Sequence, residues 1–492
     1  MYWSPFFHIY QPAGQSKEIL ERIANESYRP LIKGWLSNPS AKVTLNINAC
    51  LSEMLVECGH TDIIEGLIKL AEREQLEFTS SGKYHPFLPI LPEKEIERQI
   101  RLNDETNSNI FGEKAYKPQG FFPPEMGYSD IVGEVVQRLG FRWIILDEIA
   151  FSGKINQVQY DKLYELNLKT KTQRNPSSQI PSPYVFFRER RTSNLIMSAM
   201  VRTKDSLWQA LMEESRRNRY LITAMDGETF GHHRPGLDLV LFDLYNDPRY
   251  QFVLISELMD IYKKQIDKSQ PIECSWAASE KEIEEHKNFY LYFNSKNKLH
   301  VLQKRLIDLS IESIAKCKNS INRNLLDCAL SCNHMWWSNP DSWWSIEEIE
   351  RGAFALLKAT DGLECHPKAK KLYWQIVEQA FEWQRNGLPR KLHEEKDSFK
   401  KIPFKNRAKP GEYEALLKIL REEEKKAVVN REYELAIRWR DSIYKLEKGL
   451  DVYDFVHIID QMRAEGKLDQ YQDLARKFRD AYNKLSPGQP EK

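Results

Sequence analysis

Gly120-Phe121-Phe122-Pro123-Pro124-Glu125-Met126-Gly127-Tyr128-Ser129 is the stretch on which the fold reading turns. A short apolar run ends in two prolines and a carboxylate. An amphipathic segment, Ile131–Leu139, follows, with Ser129 placed to cap it. This reads as a buried strand that delivers an acid at its C-terminal end, and then a helix. The same pattern extends in both directions. Strand-like runs are expected at Trp3–Ile9, Val43–Ile47, Leu76–Thr79, Gly120–Pro123, Phe141–Leu146, Leu195–Val201, Tyr220–Met225 and Phe252–Ile255. Helix-like stretches such as Asp62–Glu74 and Glu93–Asn107 lie between them. Most of the runs are continuously apolar, as strands buried on both faces are. Strand–helix alternation of this kind argues an α/β fold with a parallel sheet, and seven or eight units suit a barrel. Arg188–Asn194 reads as a turn inside an inserted hairpin.

Beyond the alternating part the chain reads as helical. Leu302, Leu306 and Leu309 recur at helical spacing, among Trp276, Trp336, Trp337, Trp343, Trp344, Trp374 and Trp383. The expected division is a barrel over 1–270, a helical domain over 271–395, and a basic Pro/Gly linker over 396–411. A helical hairpin over 412–450 and a last helix and tail over 451–492 complete it. A length of 492 residues suits two to four domains at roughly 100–200 residues each.

Composition narrows the function. Hydrophobic residues make up 41% and charged residues 29%, which excludes wholesale disorder. Lys plus Arg number 72 and Asp plus Glu 71, so no global basic field exists and nucleic-acid binding is not expected. No run approaches the ~18 apolar residues of a membrane span. Met1-Tyr2-Trp3-Ser4-Pro5 lacks the basic and apolar regions of a signal peptide, and a cytoplasmic protein is expected. Seven cysteines with no CxxC pair fit free thiols, and Cys328 and Cys332, at i, i+4 on a probable helix, read as core. Aromatic residues reach 11%, which suits a sugar cleft as well as a core, because the apolar C–H face of a pyranose lies flat on an aromatic ring.

The active site of a parallel barrel lies at the C-terminal strand ends. There the sequence offers His8, Tyr10 and Gln11; Asn46 and Asn48; Lys83, Tyr84 and His85; Glu125; Asp147 and Glu148; and Asp226, Glu228, His232 and His233. Two carboxylate-bearing segments stand out: the opening stretch, and Leu221-Ile222-Thr223-Ala224-Met225-Asp226-Gly227-Glu228, an apolar strand ending in two acids at i, i+2.

The sequence resembles glycoside hydrolase family 57. The resemblance rests on ordered motifs over roughly residues 1–390: His8-Ile9-Tyr10-Gln11-Pro12; Gly82-Lys83-Tyr84-His85-Pro86; Phe122-Pro123-Pro124-Glu125-Met126-Gly127; Asp226-Gly227-Glu228-Thr229-Phe230-Gly231; and, more loosely, Cys332-Asn333-His334-Met335-Trp336-Trp337. It implies an incomplete (β/α)7 barrel followed by a helical bundle. The implied chemistry is retaining cleavage or transfer of α-glucosidic bonds, with hydrolysis, disproportionation and branching left open. Glu125 is the implied nucleophile and Asp226 the implied acid/base. His8, Gln11, His85, Glu228, His232 and Trp337 are candidate sugar contacts, and no metal or organic cofactor is implied. Tyr10, His85 and His232-His233 depart from the family pattern, which bears on substrate choice. Two other readings stand beside this one: a non-catalytic glucan-binding scaffold, and a metal-dependent barrel hydrolase using imidazole and carboxylate ligands. Within the hairpin, Tyr433–Ile443 resembles a UVR motif, which implies contact with a protein partner or self-association.

Overall fold

The computed structural model describes residues 1–168, 180–198, 203–234, 236–317, 319–396, 403–408 and 411–449, with 476, 477, 480, 481 and 484. The chain forms two compact units, Met1–Gly387 and Leu388–Lys492.

The first unit is organised by one ten-stranded sheet. Its strands are β1 (Tyr2–Ile9), β2 (Val43–Ile47), β3 (Leu76–Ser80), β4 (Gly120–Phe121), β5 (Trp143–Asp147), β6 (Leu163–Leu166), β7 (Tyr184–Arg188), β8 (Tyr220–Asp226), β9 (Gln251–Phe252) and β10 (Ile266–Ser269). They run in the order β10-β6-β7-β5-β4-β3-β2-β1-β8, with β9 beside β1. Every pairing is parallel except β6 with β7. Helices Thr61–Glu72, Glu93–Phe111 and Asp130–Arg138 make the crossovers expected between parallel strands. The seven strands from β7 to β8 curl into an incomplete (β/α)7 barrel. At the open seam Glu189 N–H donates to Ile222 O at 2.8 Å, and Arg188 Nε to Ala224 O at 2.7 Å.

Continuous apolar strands arise because both sheet faces are covered. Phe6, Tyr220, Ile222 and Ala224 pack on one side with Phe122 and the helices of the C-terminal part of the unit. Their chain neighbours Phe7, Leu221 and Met225 pack on the other side with Trp35, Leu237 and Leu241. The two-residue alternation of a strand is present, but hidden. Gly120 shows how tightly this is fitted: a Cβ there would lie 2.1 Å from the ring of Trp143.

Lys298–Ile314, Ser320–Ala329, Ile346–Ala359 and His366–Arg385 form the helical part of the unit, with Leu302, Leu306, Leu326 and Leu356 buried. In the second unit Glu412–Val429 and Tyr433–Lys448 form the hairpin, packing Leu416, Leu420, Ala436, Trp439, Ile443 and Leu446 together. The described residues of the expected linker include one helical turn, Phe404–Arg407. The last helix expected within 451–492 lies outside the described residues, apart from the five positions named above. No described helix is long and apolar enough to cross a membrane.

Several expectations are corrected. Leu195–Val201 is not a strand: residues through Met197 belong to helix Arg190–Met197, and 199–202 lie outside the described residues. Arg188–Asn194 is not a hairpin turn, because Arg188 ends β7 and Glu189 caps the helix by accepting from Thr192 N–H at 2.6 Å. A short apolar run cannot by itself tell a buried strand from a buried helix. Phe252–Ile255 is extended only to Phe252, since Leu254 N–H donates to Glu257 and starts a helix at Ile255. Ser129 sits at the helix N-cap without a capping bond, its hydroxyl buried and unpartnered. The helix carrying Cys328 stops at Ala329, so Cys332 does not share its face and instead meets His85. β6, β7 and β10 were not expected.

Candidate active site

The site lies where β1, β3, β4 and β8 end. β1 holds His8 in register with Asn46 of β2 on one side and Asp226 of β8 on the other. A cleft of about 880 Å³ opens over this layer. His8, Gln11, His85, Glu125, Asp226, Glu228 and Trp337 all line it, with Tyr10, His233, Arg188, Trp276, Trp336 and Trp343.

The segment after β4 is bent hard. Glu125 has φ +60° and Met126 φ +48°, and beside them His85 has φ +55°; all three are in the left-handed region that side chains disfavour. Such strain persists only where the surroundings over-determine it. Here Trp276 N–H donates to Glu125 O at 3.0 Å and Tyr128 N–H to Cys274 O at 2.9 Å, so the loop is stitched to the segment 274–276. Glu125 Oε2 accepts the Trp276 indole N–H at 2.6 Å and the Tyr292 hydroxyl. Burial pushes the Glu125 carboxyl up to about 7; the Tyr292 hydroxyl opposes this, the Asp226 charge adds to it, and the Trp276 N–H opposes it.

Asp226 ends β8. Among the described residues it accepts no side-chain hydrogen bond. Burial lifts it to about 6 against the pull of Arg188. Glu228 stands on the next turn. Its Oε1 accepts from Tyr10 N–H at 3.3 Å, from Gln11 Nε2 at 3.2 Å and from the Tyr28 hydroxyl. Burial, then the Asp226 charge, lifts Glu228 to about 7.

The histidines form a polarised chain. His8 donates Nδ1–H to Asn46 Oδ1 at 2.8 Å, which leaves Nε2 to accept from His85 Nε2–H at 3.1 Å. His85 Nδ1 then accepts the Cys332 thiol at 3.4 Å. Burial drives His8 down to about 4 and His85 well below the usual histidine range, so both rings are neutral near pH 7. The Tyr10 ring stacks on His85 with centroids 4.1 Å apart. On the wall above, Trp336 stacks on Trp343 at 5.4 Å, and the Trp337 ring meets Trp343 edge-on.

Other strand-end groups serve structure. Asp147 is fully buried and binds the guanidinium groups of Arg188 and Arg190, each at 2.7 Å. Glu148 accepts the backbone N–H of Arg190 and of Asn156, both at 2.9 Å. Lys83 turns to Glu53 at 2.7 Å. His232 is a correction: its Nδ1 pairs with Glu26, and its neighbour His233 lines the cleft instead. Gly231 makes this turn, with φ +100° and a Cβ position 1.8 Å from Glu26 O.

Sequence reasoning missed Tyr292, Tyr28, Arg188 and Arg190. Tyr292 is hidden in the aromatic run Phe289–Phe293, whose spacing does not distinguish a core residue from a donor. Tyr28 reaches Glu228 because Ala24–Tyr28 is a π-helical turn, for which the sequence carries no sign. Arg188 and Arg190 fell inside the misread hairpin.

A family model described as "Glycosyl hydrolase family 57" matches residues 4–265. Over 151 residues the chain is 29% identical to Alpha-amylase 1 of Dictyoglomus thermophilum, a match that covers 31% of this chain and 21% of that protein. Among solved structures, the 4-alpha-glucanotransferase from Thermococcus litoralis superposes with a TM-score of 0.59 at 18% identity, covering 73% of this chain and 59% of that one. A branching enzyme from Pyrococcus horikoshii superposes with a TM-score of 0.55 at 15% identity, covering 77% and 94%. These two likenesses show a shared fold.

Proposed function

The chain belongs to glycosyl hydrolase family 57, and from that premise we propose that it is a retaining enzyme acting on α-glucans. The observation that carries this reading is a pair of half-buried carboxyls lining one cleft, Glu125 clamped by two fixed donors and Asp226 free to exchange a proton. The Asp226 charge lifts the affinity of Glu125 for a proton. Between about 6 and about 7 they share a single one. The higher value belongs to Glu125, so in that interval the pair holds its proton mainly on Glu125; the attacking form is the other arrangement of the same proton, with Glu125 charged under the Trp276 and Tyr292 donors and the proton on Asp226.

In that state Glu125 attacks the anomeric carbon, and Asp226 passes its proton to the leaving glycosidic oxygen. A covalent glycosyl-enzyme forms. Asp226, now a carboxylate, takes a proton from water or from a sugar hydroxyl, which displaces Glu125 and restores both groups. A retaining pair works at about 5–5.5 Å between carboxyls. His8, Gln11, His85 and Glu228 are the proposed contacts to sugar hydroxyls, and Trp337 with Trp336 and Trp343 the stacking surface. That its relatives include an amylase, a glucanotransferase and a branching enzyme supports an α-glucan substrate.

Product analysis on maltoheptaose tests the reading. Shorter oligomers alone mean hydrolysis, and longer with shorter ones mean transfer. No turnover on maltoheptaose or glycogen by wild type sinks it and leaves the binding scaffold.

For the hairpin we propose a protein-contact role, as its likeness to a UVR motif suggests. Its supporting observation is a second apolar stripe: Tyr433, Ile437 and Tyr444, spaced by four and seven residues, are 62%, 47% and 56% exposed. Ile437→Asp should abolish any self-association that light scattering detects in the full chain. A cytoplasmic location fits the seven free thiols.

A further inference from the structure

Cys332 has no part in the mechanism above, yet it stands beside the nucleophile. Its backbone N–H donates to His85 O at 3.1 Å, and Pro86 and Ser331 form an antiparallel bridge next to it. The two segments are therefore zipped together. The Cys332 Sγ lies 3.4 Å from His85 Nδ1, and His85 Nε2 lies 3.7 Å from Glu125 Oε1. One donor atom from each of the three residues falls within 4.8 Å of the others.

We infer that His85, Cys332 and Glu125 form a site for a thiophilic divalent cation of the zinc kind on the floor of the cleft, and that its occupation silences the enzyme. Thiolate, imidazole and carboxylate are the ligand types zinc takes. An ion takes one imidazole nitrogen only, so the spacing that counts is the 4.8 Å that holds one donor atom of each residue, and metal–ligand distances of about 2.0–2.3 Å would draw these atoms in to about 3.3–3.8 Å. Three protein ligands leave a fourth position open to cleft water, as in other exposed zinc sites. The imidazole is already oriented by a second partner, His8, itself held by Asn46, and such partners support bound metal. Binding forms a metal–sulfur bond and releases the thiol proton to solvent. The cation is then neutralised by one thiolate and one carboxylate. The site itself needs only this donor set; the silencing rests on Glu125 being the nucleophile, because a carboxylate bound to a cation cannot attack.

The test uses the full chain, stripped with chelator and titrated with Co²⁺. The expected result is one equivalent bound, with a thiolate-to-cobalt charge-transfer band in the near ultraviolet that Zn²⁺ bleaches. Cys332→Ser should lose the band, keep the melting temperature, and weaken inhibition of maltoheptaose turnover by Zn²⁺ at least about tenfold. His85→Asn, a residue that tolerates positive φ, should weaken Co²⁺ binding to a similar degree. A band that survives Cys332→Ser overturns the site. So does turnover that is lost on chelation and restored by Zn²⁺, since the ion would then be required. A Cys332-dependent band in a protein that never turns over glucan leaves the site standing and overturns the glucan reading instead.

Discussion

The ends of β4 and β8 deliver one carboxyl each to the same cleft, and they hold them in opposite ways. Glu125 sits on a left-handed turn with its Oε2 gripped by an indole and a phenol. Asp226 continues an ordinary extended strand and accepts no side-chain hydrogen bond among the described residues. A group that must attack along one line gains from being fixed. A group that must give up a proton and later take one back gains from being unbonded. Fixing costs backbone strain and removes freedom that proton transfer needs, so a single design cannot serve both roles.

The largest test of this contrast removes each carboxyl in turn. Glu125→Ala should lower kcat by about 10⁴-fold or more, and Asp226→Ala by about 10²–10⁴-fold, less for substrates with activated leaving groups. Added azide should separate them: Asp226→Ala yields a glycosyl azide of retained configuration and Glu125→Ala one of inverted configuration, read by NMR. Equal effects with the same product would erase the distinction.

Loosening the grip on Glu125 comes next. Tyr292→Phe removes a charge-assisted bond worth about 1.5–3 kcal/mol, so kcat/KM should fall about tenfold to a hundredfold. Wild type should show a narrow bell-shaped pH profile peaking between about 6 and about 7, the interval in which the pair holds one proton. The Tyr292 hydroxyl favours the ionised form, so its loss raises Glu125, the upper of the two values, and moves the basic limb upward. A downward shift would contradict the assignment.

The smallest effect is on stability. Glu228 is 4% exposed and is raised from its ordinary value to about 7. A carboxyl raised on folding stabilises fully below its unfolded value and loses that contribution as pH rises through the folded one. Glu228→Gln should therefore stabilise the protein by about 1–3 kcal/mol at pH 8 and by almost nothing below pH 4, as thermal melts at the two pH values would show. Equal gains at both would mean that the charge is not what destabilises.

The two strand ends also explain what could be read from sequence. His8, Glu125 and Asp226 were legible because each follows an apolar run whose burial on both faces forces the next polar residue to the rim. Their chain positions thus encode their place in space. Tyr292, Tyr28 and Cys332 were not legible, because they approach from segments with no strand grammar and act through contacts that only the folded chain creates. β7 was lost for a related reason. Tyr184–Arg188 runs straight into a helix whose cap, Glu189, looked like a turn residue. His232 and His233 were separable only once Gly231 had chosen which of them faces Glu26.

An incomplete barrel has a last strand, and here it is the one that carries Asp226. β8 is locked to β1 along seven registered pairs, from Tyr2–Tyr220 to His8–Asp226. On its other side two backbone hydrogen bonds, Glu189 N–H to Ile222 O and Tyr220 N–H to Tyr160 O, close the seam with Ser193 Oγ, which accepts from Ala224 N–H, and the contacts of Arg188. A closed barrel can part its strands only by breaking a ladder. This one can breathe at a single zip, shifting the proton donor relative to the nucleophile while the rest of the sheet stays whole. Slow hydrogen exchange would be shared by β1, β2 and β3, and the amides facing the seam would exchange early. The place of Asp226 relative to Glu125 therefore depends on how tightly that seam is held.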